Sequence, residues 1–185
     1  GPPAGKLAWA AGKPGSNMKL GFCTYLWGQD WDLPTLLANL EKAQILAVET
    51  RVEHKHGIEP TLSAAQRAEV KKRFADSPVK FLGPGTNQAF HDPDPAKLNQ
   101  SIEGTKAYIK LSADLGGTGV KVKPNDLPKN VPQEKTIEQI GKSLELVGKF
   151  AADYGQEIRV EVHGQCSRLP IMKKIIDYVQ QKNVG

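Results

Sequence analysis

The feature that most constrains this chain of 185 residues is an alternation of two apolar patterns, repeated five times. In the segments predicted as strands, apolar residues occupy every second position, and in the segments predicted as helices they recur every three or four positions. Strands and helices in strict alternation call for a parallel sheet with right-handed crossovers. The predicted strands are residues 18–26, 48–53, 79–82, 119–123 and 157–164.

Residues that favour helix ends support the predicted helices between these strands. Asp32 and Asp94 are suited to the N-cap position, and each is followed by a proline in the first helical turn. Ser63 and Gln66 have the spacing of a capping box, in which each side chain bonds to the other residue's backbone. The last helix is predicted over residues 170–181.

Two architectures fit five such units: a doubly wound sheet of the flavodoxin type, or part of a (β/α)8 barrel. Helices cover both faces of a doubly wound sheet, so its strands should be apolar on both faces. Strands two, four and five instead carry a charge at every second residue, and no phosphate-binding glycine loop follows strand one. The sequence therefore predicts an α/β fold, a parallel (β/α) barrel of the TIM type with about five β-α units present.

Composition places the chain among ordinary globular proteins. Charged residues make up 24% and hydrophobic residues 39% of the sequence. Residues 1–17 are rich in Gly, Pro and Ala and are predicted to be a flexible leader, and residues 18–185 to form the barrel domain. The leader fits both a cytoplasmic and an exported protein, and the cytoplasm is the favoured compartment.

The net charge and the hydropathy limit which partners are expected for this protein. The net charge of +5 is compatible with nucleic acid or anionic substrates but is no evidence for either of them. Nucleic acid is therefore a disfavoured partner. No apolar run approaches the length of a membrane span, so no membrane partner is expected. A homo-oligomer is compatible with the sequence.

The fifth predicted strand carries the strongest candidate site. Ile158, Val160 and Val162 alternate with Arg159, Glu161 and His163. Successive side chains face opposite sides of a strand, so one face is aliphatic and the other is charged. A carboxylate and an imidazole two residues apart at the carboxyl end of a strand suit a divalent cation or proton transfer. The alternative is an ion pair between Arg159 and Glu161 in the core.

Other candidates lie in the loops and strands that a barrel would bring to the same end. His54 and His56 share a strand-to-helix loop, and if that loop is extended both face the substrate; otherwise they are exposed loop residues. Lys121 and Lys123 are candidates for binding a phosphate or carboxylate or for stabilising an enediolate, or else they balance nearby glutamates. Further candidates are Asn87, Arg168, and the aromatic residues Tyr25 and Trp27 as a wall for a sugar ring.

At this point the chain resembles the xylose isomerase-like barrel superfamily, which contains sugar phosphate isomerases and epimerases and has the family-two AP endonucleases as relatives. The resemblance covers residues 18–185 and rests on M-K-L-G-F-C-T, on V-E-T-R with the following H-K-H-G, on G-V-K-V-K and on V-E-V-H-G. It implies that Glu161 binds a divalent metal ion, Mn, Mg, Zn or Co. The other ligands would come from strands six to eight, and this sequence ends where strand six is expected to begin.

The resemblance implies a metal-dependent isomerase or epimerase of a sugar or sugar phosphate that removes a proton next to a carbonyl and passes through an enediolate. Glu161 and His163 would be catalytic, and His54, His56, Lys121, Lys123 and Arg168 would bind the substrate. Two alternatives stay open: a zinc-dependent phosphodiesterase acting at abasic DNA, and a non-catalytic carbohydrate-binding module.

Overall fold

The structure, a computed structural model, describes residues 20–185. The predicted leader 1–17 and the beginning of the first predicted strand lie outside the described residues. Five strands alternate with five α-helices, and a short 3-10 helix, Gly164–Ser167, precedes the last of them. The strands are β1 Phe22–Cys23, β2 Ala47–Arg51, β3 Lys80–Ala89, β4 Gly119–Lys123 and β5 Glu157–Val160. The helices are α1 Leu33–Lys42, α2 Ala64–Ala75, α3 Pro95–Leu115, α4 Gln133–Ala152 and α5 Leu169–Ile176.

The five strands form one parallel sheet in the order β1-β2-β3-β4-β5. A doubly wound sheet reverses its strand order at a switch point, and this sheet does not. Each strand instead lies beside its predecessor, as in a (β/α) barrel. The prediction of a partial TIM-type barrel is therefore confirmed.

One face of the sheet is aliphatic and packs against the helices. Val48, Val120, Val122 and Ile158 are fully buried among apolar side chains that come from all five helices. The charged residues that alternate with them lie on the opposite face. The period of two in the strands thus separates a hydrophobic core from a polar inner face.

The predicted helix caps form as expected. The Asp32 and Asp94 carboxylates accept hydrogen bonds from Thr35 N and Ala96 N, both at 2.9 Å, and Ser63 and Gln66 make the reciprocal capping box. The last helix is shorter than predicted, because α5 ends at Ile176 rather than at residue 181. No helix among residues 20–185 is long and apolar enough to cross a membrane.

Strand lengths differ from the predictions in several places. β1 contains only two residues, and β2 ends at Arg51 because Glu53 adopts a positive φ of 63°. β5 ends at Val160, before the turn into the 3-10 helix. β3 is much longer than the predicted strand 79–82 and continues through Gly83-Pro84-Gly85 to Ala89.

The last residues of the chain pair with the outer edge of β5. Ile158 N donates to Asn183 O at 2.8 Å, and Gly185 N donates to Ile158 O at 3.0 Å. Val184 forms a parallel bridge with Ile158. Residues 183–185 therefore occupy the position of a sixth strand, as expected from the sequence.

Candidate functional site

Five charged residues on the inner face of the sheet form what we call the rim cluster: Glu49, Arg51, Lys121, Lys123 and Glu161. Lys121 lies at its centre and is 8% exposed. Its Nζ is 2.9 Å from Glu161 Oε2 and 3.9 Å from Glu49 Oε2. One ammonium thus joins a carboxylate from β2 to a carboxylate that directly follows β5.

A glycine in β3 makes this contact across three strands geometrically feasible. Gly85 pairs with Arg51 on one side and with Lys121 on the other. A Cβ atom at Gly85 would lie 2.8 Å from Glu49 Oε2, which is closer than a real Cβ contact. Because position 85 has no side chain, the carboxylate of Glu49 passes over β3 and approaches Lys121.

Glu161 lies at the carboxyl end of β5, and its carboxylate is held ionised. Burial by itself would raise the pKa of Glu161. The hydrogen bond and charge of Lys121, together with the charges of Lys123 and Arg51, have the larger effect, so the pKa of Glu161 is lowered. The Oε2 atom is buried, and its partner is the Lys121 ammonium at 2.9 Å. The expected alternative, an ion pair with Arg159, does not form, because Arg159 contacts Glu157 at 3.2 Å instead.

Arg51 is a member of the rim cluster that was not among the candidates chosen from the sequence. Its Nη2 donates to Asn87 Oδ1 at 2.7 Å, and its guanidinium lies 5.0 Å from the centre of the Tyr25 ring. Thr24 Oγ1 accepts from Arg51 N at 2.8 Å and lies 3.2 Å from His54 Nδ1. The period of two in β2, which places Arg51 on the face of Glu49, was the signal that could have identified it.

The loop that carries the two neighbouring histidines is a tight turn and not extended, because Gly57 N donates to His54 O at 3.1 Å. The extended conformation in which both imidazoles would share one face is therefore not adopted. His54 is partly exposed beside Thr24, whereas His56 is buried and its Nδ1 accepts from Ile58 N at 3.1 Å. Burial and the neighbouring His54 lower the pKa of His56 to about 4.

His163 and Arg168 lie in the loop after β5. The Nδ1 atom of His163 is 3.2 Å from Asn125 Oδ1, which connects this loop to the loop after β4. Gly164 lies where a Cβ would be 2.7 Å from Asn125 O, so the two loops approach too closely for a larger residue. Arg168 is exposed and lines a cleft between these loops, and no residue of the rim cluster lines that cleft.

Cys23 in β1 and Trp27 in the loop after it lie next to this face of the sheet. Cys23 is exposed as a residue, and its Sγ donates to Glu49 Oε2 at 3.0 Å. Partial burial of the thiol group, together with this hydrogen bond and the negative charge of Glu49, raises the pKa of Cys23 to about 12. Trp27 is largely exposed and packs edge-on against Phe22, with ring centres 5.5 Å apart.

Glu161 is suited to bind a divalent cation, but residues 20–185 contain no complete metal site. Glu161 is held anionic, and its Oε2 already lies 2.9 Å from the Lys121 ammonium, so this position suits a positive charge. Across residues 20–185, however, no three or more His, Cys, Asp or Glu side chains come together in a way that could hold a metal ion. A divalent cation needs four or more ligands, so Glu161 alone does not define its site.

The fold and this polar inner face agree with a comparison of the sequence with known families. Residues 37–185 match the family described as xylose isomerase-like TIM barrel. The chain therefore belongs to the xylose isomerase-like TIM barrel family. No curated protein matches the chain in sequence.

Solved structures of similar fold include several sugar epimerases. D-psicose 3-epimerase from Clostridium cellulolyticum H10, solved with D-tagatose, is 19% identical with a TM-score of 0.75, and the alignment covers 90% of this chain and 62% of that one. The IolI protein with a bound zinc atom is 22% identical with a TM-score of 0.71, covering 91% and 61% of the two chains. The 3-keto-D-glucoside 4-epimerase from E. coli is 14% identical with a TM-score of 0.73, covering 90% and 66%. The chain thus spans about three fifths of the length of the first two of these proteins.

Proposed function

We propose that the protein is an isomerase or epimerase of a sugar or sugar phosphate that depends on a divalent metal ion. The observation that carries this proposal is the position of Glu161, an ionised carboxylate on the inner face at the carboxyl end of β5. Active sites of (β/α) barrels lie at that end. Membership of the xylose isomerase-like family and the sugar epimerases among proteins of similar fold support the substrate class.

The reaction we propose is proton abstraction from the carbon next to a carbonyl, with reprotonation at the same or the neighbouring carbon. A divalent cation bound through Glu161 would polarise the carbonyl and hydroxyl oxygens of the substrate. The lowered pKa of Glu161 makes this carboxylate a good cation ligand and hydrogen-bond acceptor, and a weaker base. Lys121 keeps Glu161 charged and limits its movement.

The loop residues have separate roles in this proposal. His163, whose imidazole is positioned by Asn125, would exchange protons with substrate oxygens. His54 lies next to Thr24 at the mouth of the sheet and would contact the sugar hydroxyls. The buried His56 would act on the substrate only through His54, whose ring centre is 5.7 Å away.

Replacing Glu161 by Gln tests the proposal. We expect the E161Q variant to lose roughly 100-fold or more in turnover of ketoses such as D-psicose or D-tagatose. We also expect its affinity for Mn²⁺, measured by isothermal titration calorimetry, to decrease at least about tenfold. The matched control is Glu157→Gln, because Glu157 is on the same strand but pairs with Arg159 at the opposite end. Unchanged Mn²⁺ binding and turnover in E161Q would disprove the assignment.

The two alternative functions are separated by simple assays. A phosphodiesterase would nick duplex DNA at an abasic position when zinc is supplied, and a carbohydrate-binding module would bind sugar without turnover. The endonuclease chemistry needs clustered histidines, and the described residues bring only His54 and His56 close together. We therefore favour the isomerase or epimerase.

A further inference from the structure

We infer that Lys121 and a divalent cation compete for the carboxylate of Glu161, and that Glu49 receives the Lys121 ammonium when the cation binds. This inference rests on the proposed function and deepens it, because it names the residue that regulates cation binding at Glu161. It depends on the position of one buried ammonium between two carboxylates at unequal distances.

The Lys121 ammonium lies beside Glu161, where a bound cation would also have to lie. Its Nζ is 2.9 Å from Glu161 Oε2, and this oxygen is buried. Two positive charges held near one carboxylate in a partly buried place repel each other. A divalent cation at Glu161 therefore favours movement of Lys121 away from this carboxylate, to the extent that the two cations exclude each other.

Lys121 needs another anion if it leaves Glu161. Its side chain is only 10% exposed, and a buried ammonium without a partner is costly. Among residues 20–185, Glu49 is the other carboxylate that pairs with this ammonium, and its Oε2 lies 3.9 Å away. Bringing this contact to the length of the Glu161 contact takes a movement of about 1 Å. The flexible stem of a lysine allows such a movement.

Glu49 is fixed where it can receive the ammonium. Its Oε2 accepts a hydrogen bond from Cys23 Sγ at 3.0 Å. The same oxygen lies over Gly85, where a Cβ would be only 2.8 Å away. The Glu49 side chain is 17% exposed, against 33% for Glu161. Glu161 is thus the more accessible carboxylate for a cation from solvent, and Glu49 is the more sheltered partner for Lys121.

Competition predicts an effect opposite in sign to that of a purely structural role. If Lys121 only held Glu161 in place, its removal would weaken cation binding. If Lys121 competes with the cation, its removal strengthens cation binding, because the cation no longer has to displace an ammonium.

The test measures Mn²⁺ binding to the full chain by isothermal titration calorimetry. We expect Lys121→Met to raise the affinity roughly fivefold to 150-fold, the usual range for coupled binding events. The gain should disappear in the double variant Lys121→Met, Glu161→Gln. The matched control is Lys123→Met, because Lys123 is on the same strand and its charge also acts on Glu161, but the described structure contains no ion pair between them. A gain as large in Lys123→Met as in Lys121→Met would overturn the inference, because it would show an effect of net charge alone.

Glu49→Gln tests the acceptor of the ammonium. In the wild type this substitution should weaken Mn²⁺ binding, because the displaced ammonium has no anion to receive it. In the Lys121→Met variant the same substitution should have little effect, since no ammonium has to move. Equal effects in the two backgrounds would overturn the inference, because Glu49 would then act through its own charge.

A measurement on the wild-type chain keeps the inference testable if Lys121→Met does not fold. Titration with Mg²⁺ of protein labelled with ¹³C at the lysine ε-carbons should shift the NMR signal of Lys121, which is identified by its absence in Lys121→Arg. The signal of Lys97, an exposed lysine of α3, should stay in place. An unchanged Lys121 signal would overturn the inference, as would a Mn²⁺ affinity of Lys121→Met equal to or below that of the wild type.

Failure of the inference can be distinguished from failure of the proposed function. Cation binding and turnover that both require Glu161, without a gain in Lys121→Met, would support the proposed function and overturn the inference. A gain in Lys121→Met that depends on Glu161 would support the inference even if the protein turned over no ketose.

Discussion

At the scale of single residues, Lys121 is the group on which the rim cluster depends. Its ammonium is buried and has two carboxylate partners from distant parts of the chain. Removing one member of a buried ion pair leaves the other charge without compensation, and this is more costly than losing a surface pair. Exposed pairs such as Lys142–Glu138 contribute little.

We therefore expect Lys121→Met to lower the free energy of unfolding by roughly 2–4 kcal/mol, at the lower end of the range for buried pairs because Glu161 is one-third exposed. The pKa of Glu161 should rise at the same time, because its nearest cation is lost. Urea denaturation and a carboxyl NMR titration measure the two effects. Lys142→Met is the control, with an expected change below about 0.5 kcal/mol. Equal effects of the two substitutions would contradict this interpretation of Lys121.

His56 gives the protein a pH dependence that can be assigned to one side chain. Its pKa is about 4 in the folded state, against 6.5 for an unperturbed histidine. Below pH 6.5 the unfolded chain binds a proton at this position while the folded chain does not. Stability should therefore fall as the pH decreases from 6.5 to 4, by roughly 2–4 kcal/mol from this residue.

His56→Asn should remove most of that pH dependence. The Asn side chain oxygen can accept the hydrogen bond from Ile58 N, as His56 Nδ1 does, but the amide does not titrate. Urea denaturation at about pH 7 and about pH 4.5 should show a smaller loss in the variant than in the wild type. Identical losses would show that other groups cause the pH dependence.

At the scale of secondary structure elements, β3 is where local sequence signals and tertiary structure disagree. Gly83-Pro84-Gly85 has the composition of a turn, yet it lies inside a ten-residue strand. Gly83 has a φ of 141°, and a Cβ there would lie 1.7 Å from Gly119 O of β4. The strand needs glycine because the neighbouring backbone approaches so closely.

Gly83→Ala should consequently destabilise the protein by about 3 kcal/mol or more, or prevent folding. Gly155→Ala is the matched control, since Gly155 also has a positive φ, of 64°, but a Cβ added there would meet no atom within 4 Å. Its cost should be limited to about 1–2 kcal/mol of backbone strain. Thermal unfolding followed by circular dichroism compares the two. A cost for Gly83→Ala no greater than that for Gly155→Ala would show that β4 can move away.

The elements that sequence predicted well are those whose signal is local. The caps at Asp32, Ser63 and Asp94 depend on contacts within four residues, and the two faces of β4 follow from strict alternation. The position of Glu161 at a strand end followed from the same period of two. These features need no information about distant parts of the chain.

At the scale of the whole molecule, the unpredicted features are those set by the register between strands. The pairing of Lys121 with Glu49 requires Gly85 to lie between β2 and β4, and the sequence does not give that register. The burial of His56 likewise depends on a turn closed by Gly57 N and on packing around it. The sequential strand order was predictable, because lumen-facing charges exclude a sheet covered on both sides.

The ammonium that joins β2 to the end of β5 has a consequence for the order in which the rim cluster is assembled. Glu49 and Glu161 meet the same nitrogen only when every intervening strand has docked in its native alignment. If one strand paired with its neighbour one residue out of register, its charged side chains would face the helices and the rim cluster would not form. The rim cluster would then be complete only after the last strand has docked, and a misfolded chain would lack it.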